Sequence, residues 1–135
     1  MKNLALLIIV ALSIIGCSKD EGNKFSFELR PIDSAVLPVE LKKDSLYELP
    51  FNYIRPSTCH IFEGFYYEKN SNVRIIAIKN SVIEQNNCEP ATVNPITEIL
   101  KFIPTTEASY VFKLWKGTDA SGADVFEEIE IPVVP

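Results

Sequence analysis

The feature that most constrains this fold is a two-residue alternation of apolar and polar side chains, which resumes after each cluster of turn residues. Segment 25–30 begins the series and reads Phe-Ser-Phe-Glu-Leu-Arg before Pro31 ends it. Alternation with period two is typical of a half-buried β-strand, whose apolar face covers a core. No apolar stripe of helical period is long enough to predict a helix in the rest of the domain.

The same pattern predicts about seven strands, spaced at intervals of roughly 10–15 residues. Segment 73–78 is apolar on both faces and therefore predicts a central strand, and the connection 86–95 reads as irregular. Many short strands in one domain predict an antiparallel β-sandwich over 25–135. The predicted strands are 25–30, 49–53, 61–67, 73–78, 96–103, 109–116 and 125–133, with an edge segment at 36–41 that contains Pro38.

Tyr110 favours an immunoglobulin-like version of this sandwich. It follows the turn 104–109 and starts the penultimate predicted strand. A tyrosine at that place commonly bonds the backbone a few residues upstream and forms a tyrosine corner. The alternative is an ordinary core tyrosine.

The N-terminus predicts export. Lys2 precedes an apolar run from Leu4 to Ile15, which is too short for a bilayer span of about 20 residues but suits a signal peptide. The run ends in Gly16-Cys17, which resembles the lipobox of bacterial lipoproteins. We therefore expect 1–16 to be the signal peptide, Cys17 to carry lipid and 17–24 to be a polar tether. A short buried helix or a plain signal peptide is the alternative.

Net charge restricts the partners. The chain carries −5, and removing 1–16, which holds one lysine and no acid, changes this to −6. Binding to nucleic acid needs a basic face, so an acidic domain argues against that partner. Membrane contact is expected to come from the lipid on Cys17, because several acyl chains anchor stably.

Two cysteines remain after lipidation, Cys59 and Cys88. In an exported protein such a pair most often forms a disulfide. A metal pair with His60 is the alternative, but two cysteines and one histidine cannot complete a tetrahedral site without a carboxylate. The sequence therefore predicts the disulfide, no metal and no cofactor.

Catalytic residues are not predicted. His60 is the only histidine, and a Ser-His-Asp arrangement would have to use it beside the disulfide. The carboxylates of Glu127, Glu128 and Glu130 lie on a terminal strand, where they are expected to solvate an outer face rather than form a glycosidase pair. Three classes of function remain: a module that binds a glycan or protein, a structural subunit of an envelope assembly, and a hydrolase of unfamiliar type.

A resemblance to a known group rests on three motifs: Arg-Pro-Ser-Thr-Cys at 55–59, Phe-Glu-Gly-Phe-Tyr-Tyr-Glu at 62–68 and Tyr-Val-Phe-Lys-Leu-Trp at 110–115. With these motifs the chain resembles single-domain lipoproteins of the Bacteroidota, especially of flavobacteria. The resemblance implies the compartment and the fold class, and it implies no activity.

The resemblance gives meaning to two short patterns. Lys19-Asp20-Glu21 is similar to the signal that sends lipoproteins of that phylum to the outer face of the outer membrane, although a solvated tether would read the same. Ser34 and Ser45 lie in Asp-Ser-aliphatic triplets, which resemble O-glycosylation acceptors of that phylum and also arise by chance.

The last two strands predict a candidate ligand face. If 109–116 and 124–131 pair as a hairpin, Trp115 opposite Phe126 also places Lys113 opposite Glu128, a favourable cross-strand pair. The outward side would then hold Val111, Lys113, Trp115, Phe126, Glu128 and Glu130, and the core side Tyr110, Phe112, Leu114, Val125, Ile129 and Ile131. Adjacent aromatic rings on an outer face suit a sugar ring or a partner protein. The alternative is that the 86–95 connection covers Trp115.

Overall fold

The computed structural model describes Gly16 and residues 22–135, so Cys17 and the Lys19-Asp20-Glu21 motif lie outside the described residues. Within the described part the fold is all-β, and none of it forms a helix long and apolar enough to cross a membrane. Residues 22–135 form nine strands: β1 (Phe25–Arg30), β2 (Ser34–Ala35), β3 (Leu41–Lys42), β4 (Tyr47–Tyr53), β5 (His60–Asn70), β6 (Val73–Ile83), β7 (Ile96–Phe102), β8 (Ser109–Thr118) and β9 (Asp124–Val134).

In the larger sheet, paired strands follow the path β1-β6-β8-β9-β3, and β5 also pairs with β6. Strand β6 is central, as its two apolar faces predicted. One of its edges pairs with β5 along most of the strand, and the other is shared between β8 at 73–76 and β1 at 78–83.

Two pairings correct the prediction of a wholly antiparallel fold, since β6/β8 and β3/β9 are parallel. Between β6 and β8 the chain crosses to the smaller sheet to form β7, and it therefore returns alongside β6 in the same direction. A parallel pair requires such a crossover, which the alternation pattern does not reveal.

The smaller sheet has the order β2-β4-β7 and shares one core with the larger sheet. Alternate residues of β4, including Phe51 and Tyr53, are buried and meet the buried faces of β6 and β8. Phe102 of β7 lies edge-on to Tyr110, with ring centroids 4.9 Å apart, and Phe51 lies 5.7 Å from Phe65 of β5. Close edge-to-face packing of this kind joins the two sheets.

Two predictions about individual strands are wrong. Segment 36–41 is not a strand, because Pro38 interrupts it, and only the short β2 and β3 form on either side. The apolar face of β1 is not its buried face: Phe25 is 56% exposed and Phe27 is 64% exposed. The inner face of β1 carries Glu28 and Arg30 instead.

The predicted disulfide between Cys59 and Cys88 is confirmed, with the two Cα atoms 5.5 Å apart. It ties the start of β5 to the irregular connection after β6. The amide of Thr58 also donates to the carbonyl of Glu89, so backbone pairing supports the same junction.

Tyr110 makes the contact that its position predicts. The backbone amide of Thr105 donates to the Tyr110 hydroxyl at 2.9 Å, and the Thr105 hydroxyl lies 3.2 Å from the same oxygen. This bond ties the turn before β8 to the core.

Candidate functional site

The β8–β9 hairpin has the predicted register. Trp115 pairs with Phe126 and Lys113 pairs with Glu128. The Lys113 Nζ atom lies 3.5 Å from a Glu128 carboxylate oxygen and 4.7 Å from the centroid of the Phe126 ring. Val125, which was predicted to face the core, is instead 42% exposed and pairs with Gly117 beyond a bulge in β8.

The sheet extends this pair into a row of side chains across four strands. Tyr66 of β5 pairs with Ala77 of β6. Ala77 follows the Ile76–Leu114 pair of β6 and β8, so it lies level with Trp115, which pairs with Phe126. Because adjacent strands lie about 4.8 Å apart, the Tyr66 and Trp115 positions are roughly 10 Å apart, with only a methyl group between them.

Because the side chain of Ala77 is only a methyl group, an open groove lies above it on the outer face of the larger sheet. The groove has a volume of about 330 Å³, which lies at the small end of the range for ligand pockets. Three of its lining side chains are aromatic and two are acidic. The lining consists of Leu29, Tyr66, Glu68, Ile75, Ala77, Trp115, Asp124 and Phe126.

Each acid of the groove holds an aromatic ring in place. The Trp115 indole Nε1 donates to Asp124 Oδ1 at 2.9 Å, and the Tyr66 hydroxyl donates to Glu68 Oε2 at 2.7 Å. The bond to Glu68, together with the charge of that carboxylate, raises the pKa of the Tyr66 phenol. Tyr66 therefore stays protonated and remains a donor at neutral pH.

The electrostatics of the groove favour a ligand rich in donors. Glu68 and Asp124 take part in no ion pair among the described residues, and their bonded partners are the neutral Tyr66 and Trp115. A carboxylate has two oxygens that accept, so each acid keeps capacity for a hydroxyl or ammonium donor of a ligand. An anionic ligand would be repelled.

Comparison of the chain with protein-family models, with characterised proteins and with solved structures finds no match. The functional argument therefore depends on the chemistry of the groove. Of its lining residues, the sequence pattern had singled out Trp115 and Phe126. No residue of the 86–95 connection lines the groove, and every lining residue belongs to a strand of the larger sheet.

Sequence reasoning missed the other six members of this site, which are Leu29, Tyr66, Glu68, Ile75, Ala77 and Asp124. The alternation of β5 does show that Tyr66 and Glu68 share a face. Their position beside Trp115 depends on the β6/β8 crossover pairing and on the β5 bulge between Phe62 and Gly64, and neither has a signal in the local pattern.

The two candidate glycosylation serines differ in setting. Ser34 is exposed on β2, where its hydroxyl accepts from the Asn52 side-chain amide at 2.9 Å. Ser45 is half-buried in the turn after β3, and its backbone amide donates to the carbonyl of Lys42. Neither lines the groove.

His60 lies in a polar cluster at the disulfide end of the core. Its Nδ1 is 2.7 Å from the Ser57 hydroxyl and its Nε2 is 3.5 Å from a Glu28 carboxylate oxygen. The Ser57 hydroxyl also accepts from the Cys59 amide at 3.2 Å, so it is held within its own turn. The described residues contain no group of three or more histidine, cysteine or acidic side chains suited to a metal ion.

Proposed function

We propose that this protein is a lipid-anchored, non-catalytic binding module that holds a neutral, hydroxyl-rich glycan in the groove of its larger sheet. Lipid on Cys17 would attach it to the outer membrane, and Lys19-Asp20-Glu21 would direct it to the outer face. An immunoglobulin-like sandwich is proposed as the scaffold, and the bond between Thr105 and Tyr110 supports it.

The observation that carries the proposal is the row Tyr66–Ala77–Trp115–Phe126. Flat aromatic faces suit the C–H faces of a sugar ring, and the alanine between Tyr66 and Trp115 leaves space for the ring to enter. Glu68 and Asp124 stand at the same groove to accept from sugar hydroxyls, in the charge-assisted bonds that fix orientation.

Affinity electrophoresis of the detergent-solubilised full-length protein tests this, with a panel of neutral soluble polysaccharides in the gel. A binding polysaccharide should retard the wild-type protein. Trp115→Ala should abolish the retardation because it removes an aromatic face for stacking. Ala77→Leu should abolish it because the larger side chain fills the space between Tyr66 and Trp115. Leu46→Ala, at an exposed apolar position outside the groove, should bind as the wild type does.

Fluorescence of Trp115, the only tryptophan, gives a second reading. Acrylamide should quench the Trp115 fluorescence of the free protein, and a bound polysaccharide should reduce this quenching. Retardation that persists in both groove variants would contradict the proposed site, and failure of every neutral polysaccharide would contradict the ligand class.

A second candidate is a structural role in an envelope assembly, and the exposed face of β1 favours it. Phe25 and Phe27 are exposed large apolar side chains, and Leu29 joins them to the groove. A contiguous exposed apolar surface often marks a protein contact. Crosslinking in intact cells distinguishes the two: loss of a specific crosslinked protein in Phe25→Ser/Phe27→Ser, with polysaccharide binding unchanged, would favour the structural role.

The non-catalytic part of the proposal has its own test. The Ser57–His60–Glu28 contacts have the order of a nucleophile, a base and an acid. We assign them a structural role because the Ser57 hydroxyl is held by the Cys59 amide. A fluorophosphonate probe should leave the protein unlabelled, and labelling that is lost in Ser57→Ala would show that the protein is an enzyme.

A further inference from the structure

A second concave surface lies between the two sheets, on the opposite side of β5 from the groove. Tyr66 and Glu68 face the groove, whereas the alternate residues Tyr67 and Lys69 face this second surface, which we call the basic cleft. It has a volume of about 420 Å³ and contains three cations and no acid. Its lining consists of Tyr67, Lys69, Arg74, Leu100, Lys101, Phe102, Ile103 and Thr105.

Arg74 is the unusual residue of the basic cleft. It is only 7% exposed, and its guanidinium lies 4.9 Å from the centroid of the Tyr110 ring. Its Nη1 donates to the carbonyls of Ser71 and Val73 at 2.7 and 2.9 Å, so that nitrogen closes the β5–β6 turn. Its Nε is buried and has no hydrogen-bond partner.

No carboxylate of the described residues neutralises this arginine. The ion pairs found there do not include Arg74, Lys69 or Lys101. Tyr67 does not supply a negative charge either: burial raises the pKa of its phenol, although the charge of Arg74 and the contact between the two side chains oppose the rise. A buried cation without an anionic partner keeps part of its desolvation cost, and a bound anion would relieve that cost.

We propose that the basic cleft binds a dianionic tetrahedral oxyanion, a sulfate or phosphate group, with Arg74 at its centre. Nη1 is already committed to the turn, which leaves the edge of the guanidinium formed by Nε and Nη2. That edge is the fork that grips two oxygens of an oxyanion. Lys69 and Lys101 lie in the same cleft and supply the further positive charge that favours a dianion over a carboxylate.

Titration of the purified full-length protein with inorganic sulfate, inorganic phosphate and acetate at matched ionic strength tests this. The titration is done at mildly alkaline pH, where inorganic phosphate and sulfate are mainly dianions and acetate is a monoanion. The Arg74 Nε–H resonance should shift with saturation for sulfate or phosphate. An equal or stronger response to acetate would overturn the assignment to a dianion.

Lysine variants supply the matched comparison, since substitution of Arg74 would also break the turn. Lys69→Gln/Lys101→Gln should weaken the response to the dianion roughly tenfold, as expected for the loss of two exposed charge contacts. Lys24→Gln/Lys43→Gln removes the same charge outside the basic cleft and should leave the affinity unchanged. Equal affinity in both double variants, or an unmoved Arg74 resonance, would overturn the proposal.

Discussion

At the scale of single residues, β1 shows that charged side chains can determine which face of a strand turns toward the core. Its apolar side faces out and its polar side faces in, where Arg30 Nη1 donates to Glu28 at 2.6 Å and His60 lies on the other carboxylate oxygen. The Glu28 carboxylate thus joins Arg30 and His60 at the edge of the core. The outward Leu29 is then free to line the groove. Leu29 can therefore contribute to the groove because the polar face of β1 turns inward.

The pH dependence of stability follows from Glu28. Burial alone would raise the pKa of its carboxyl, but the hydrogen bond and charge of Arg30, with a smaller effect of His60, outweigh burial and lower it. A lowered folded-state pKa means that Glu28 stabilises the fold above its unfolded-state pKa. This stabilisation is lost as the pH falls through the folded-state pKa.

We therefore expect Glu28→Gln to destabilise the protein at pH 7 by a few tenths of a kcal/mol to about 1 kcal/mol, the range for partly exposed ion pairs. The variant and the wild type should converge only below the folded-state pKa of Glu28, which is lower than the ordinary glutamate value of about 4.3. Urea denaturation across this pH range measures both values. Glu127→Gln, which removes a more exposed carboxylate paired with Lys116, is the control, and an equal loss there would argue against a special role for Glu28.

At the scale of elements, what could be predicted depended on whether an interaction is local. The strands that carry the groove were predictable from alternation, and the β8–β9 register was predictable because it joins Lys113 to Glu128. The same information leaves the pairing of β6 with β8 undetermined, because the chain passes through β7 between them. Half of the row Tyr66–Ala77–Trp115–Phe126 therefore could not be predicted: Trp115 and Phe126 came from one hairpin, whereas Tyr66 and Ala77 are brought beside them only by the β6/β8 pairing.

The disulfide stabilises the two strands, β5 and β6, whose groove residues could not be predicted from the sequence. The loop it closes, with a sequence separation of 29, contains β5 and β6 and so contains Tyr66 and Ala77. We expect Cys59→Ser/Cys88→Ser to lower the free energy of unfolding by about 2–4 kcal/mol, because the unfolded chain gains the entropy of an open loop. Urea denaturation of the unreduced protein measures the loss.

Reductant is the control for that measurement. It should reproduce the loss in the wild-type protein and leave the double variant unchanged. An identical urea midpoint for the variant and the oxidised wild type, with an unchanged slope, would mean that the bridge does not stabilise the fold.

At the scale of the whole molecule, the two concave surfaces have opposite charge although the chain is acidic overall. The groove presents Glu68 and Asp124, and the basic cleft presents Lys69, Arg74 and Lys101. Strand β5 separates them by directing alternate side chains to each. Under our two proposals, the groove would bind a neutral sugar and the basic cleft an oxyanion, and both surfaces would have to be accessible at the cell surface.

Accessibility would depend on the proposed lipid anchor at Cys17. Cys17→Ala should release the protein from membranes, because the lipid on that residue is expected to be the attachment. In the wild type, protease added to intact cells should remove the domain. Asp20→Asn/Glu21→Gln should keep the lipid but become resistant to the protease, since the proposed signal for the outer face needs both acids. Incorporation of labelled palmitate into each variant distinguishes loss of the lipid from loss of exposure at the outer face. Membrane-bound, palmitate-labelled Cys17→Ala protein would contradict the anchor, and wild-type protein protected until the outer membrane is breached would contradict the display.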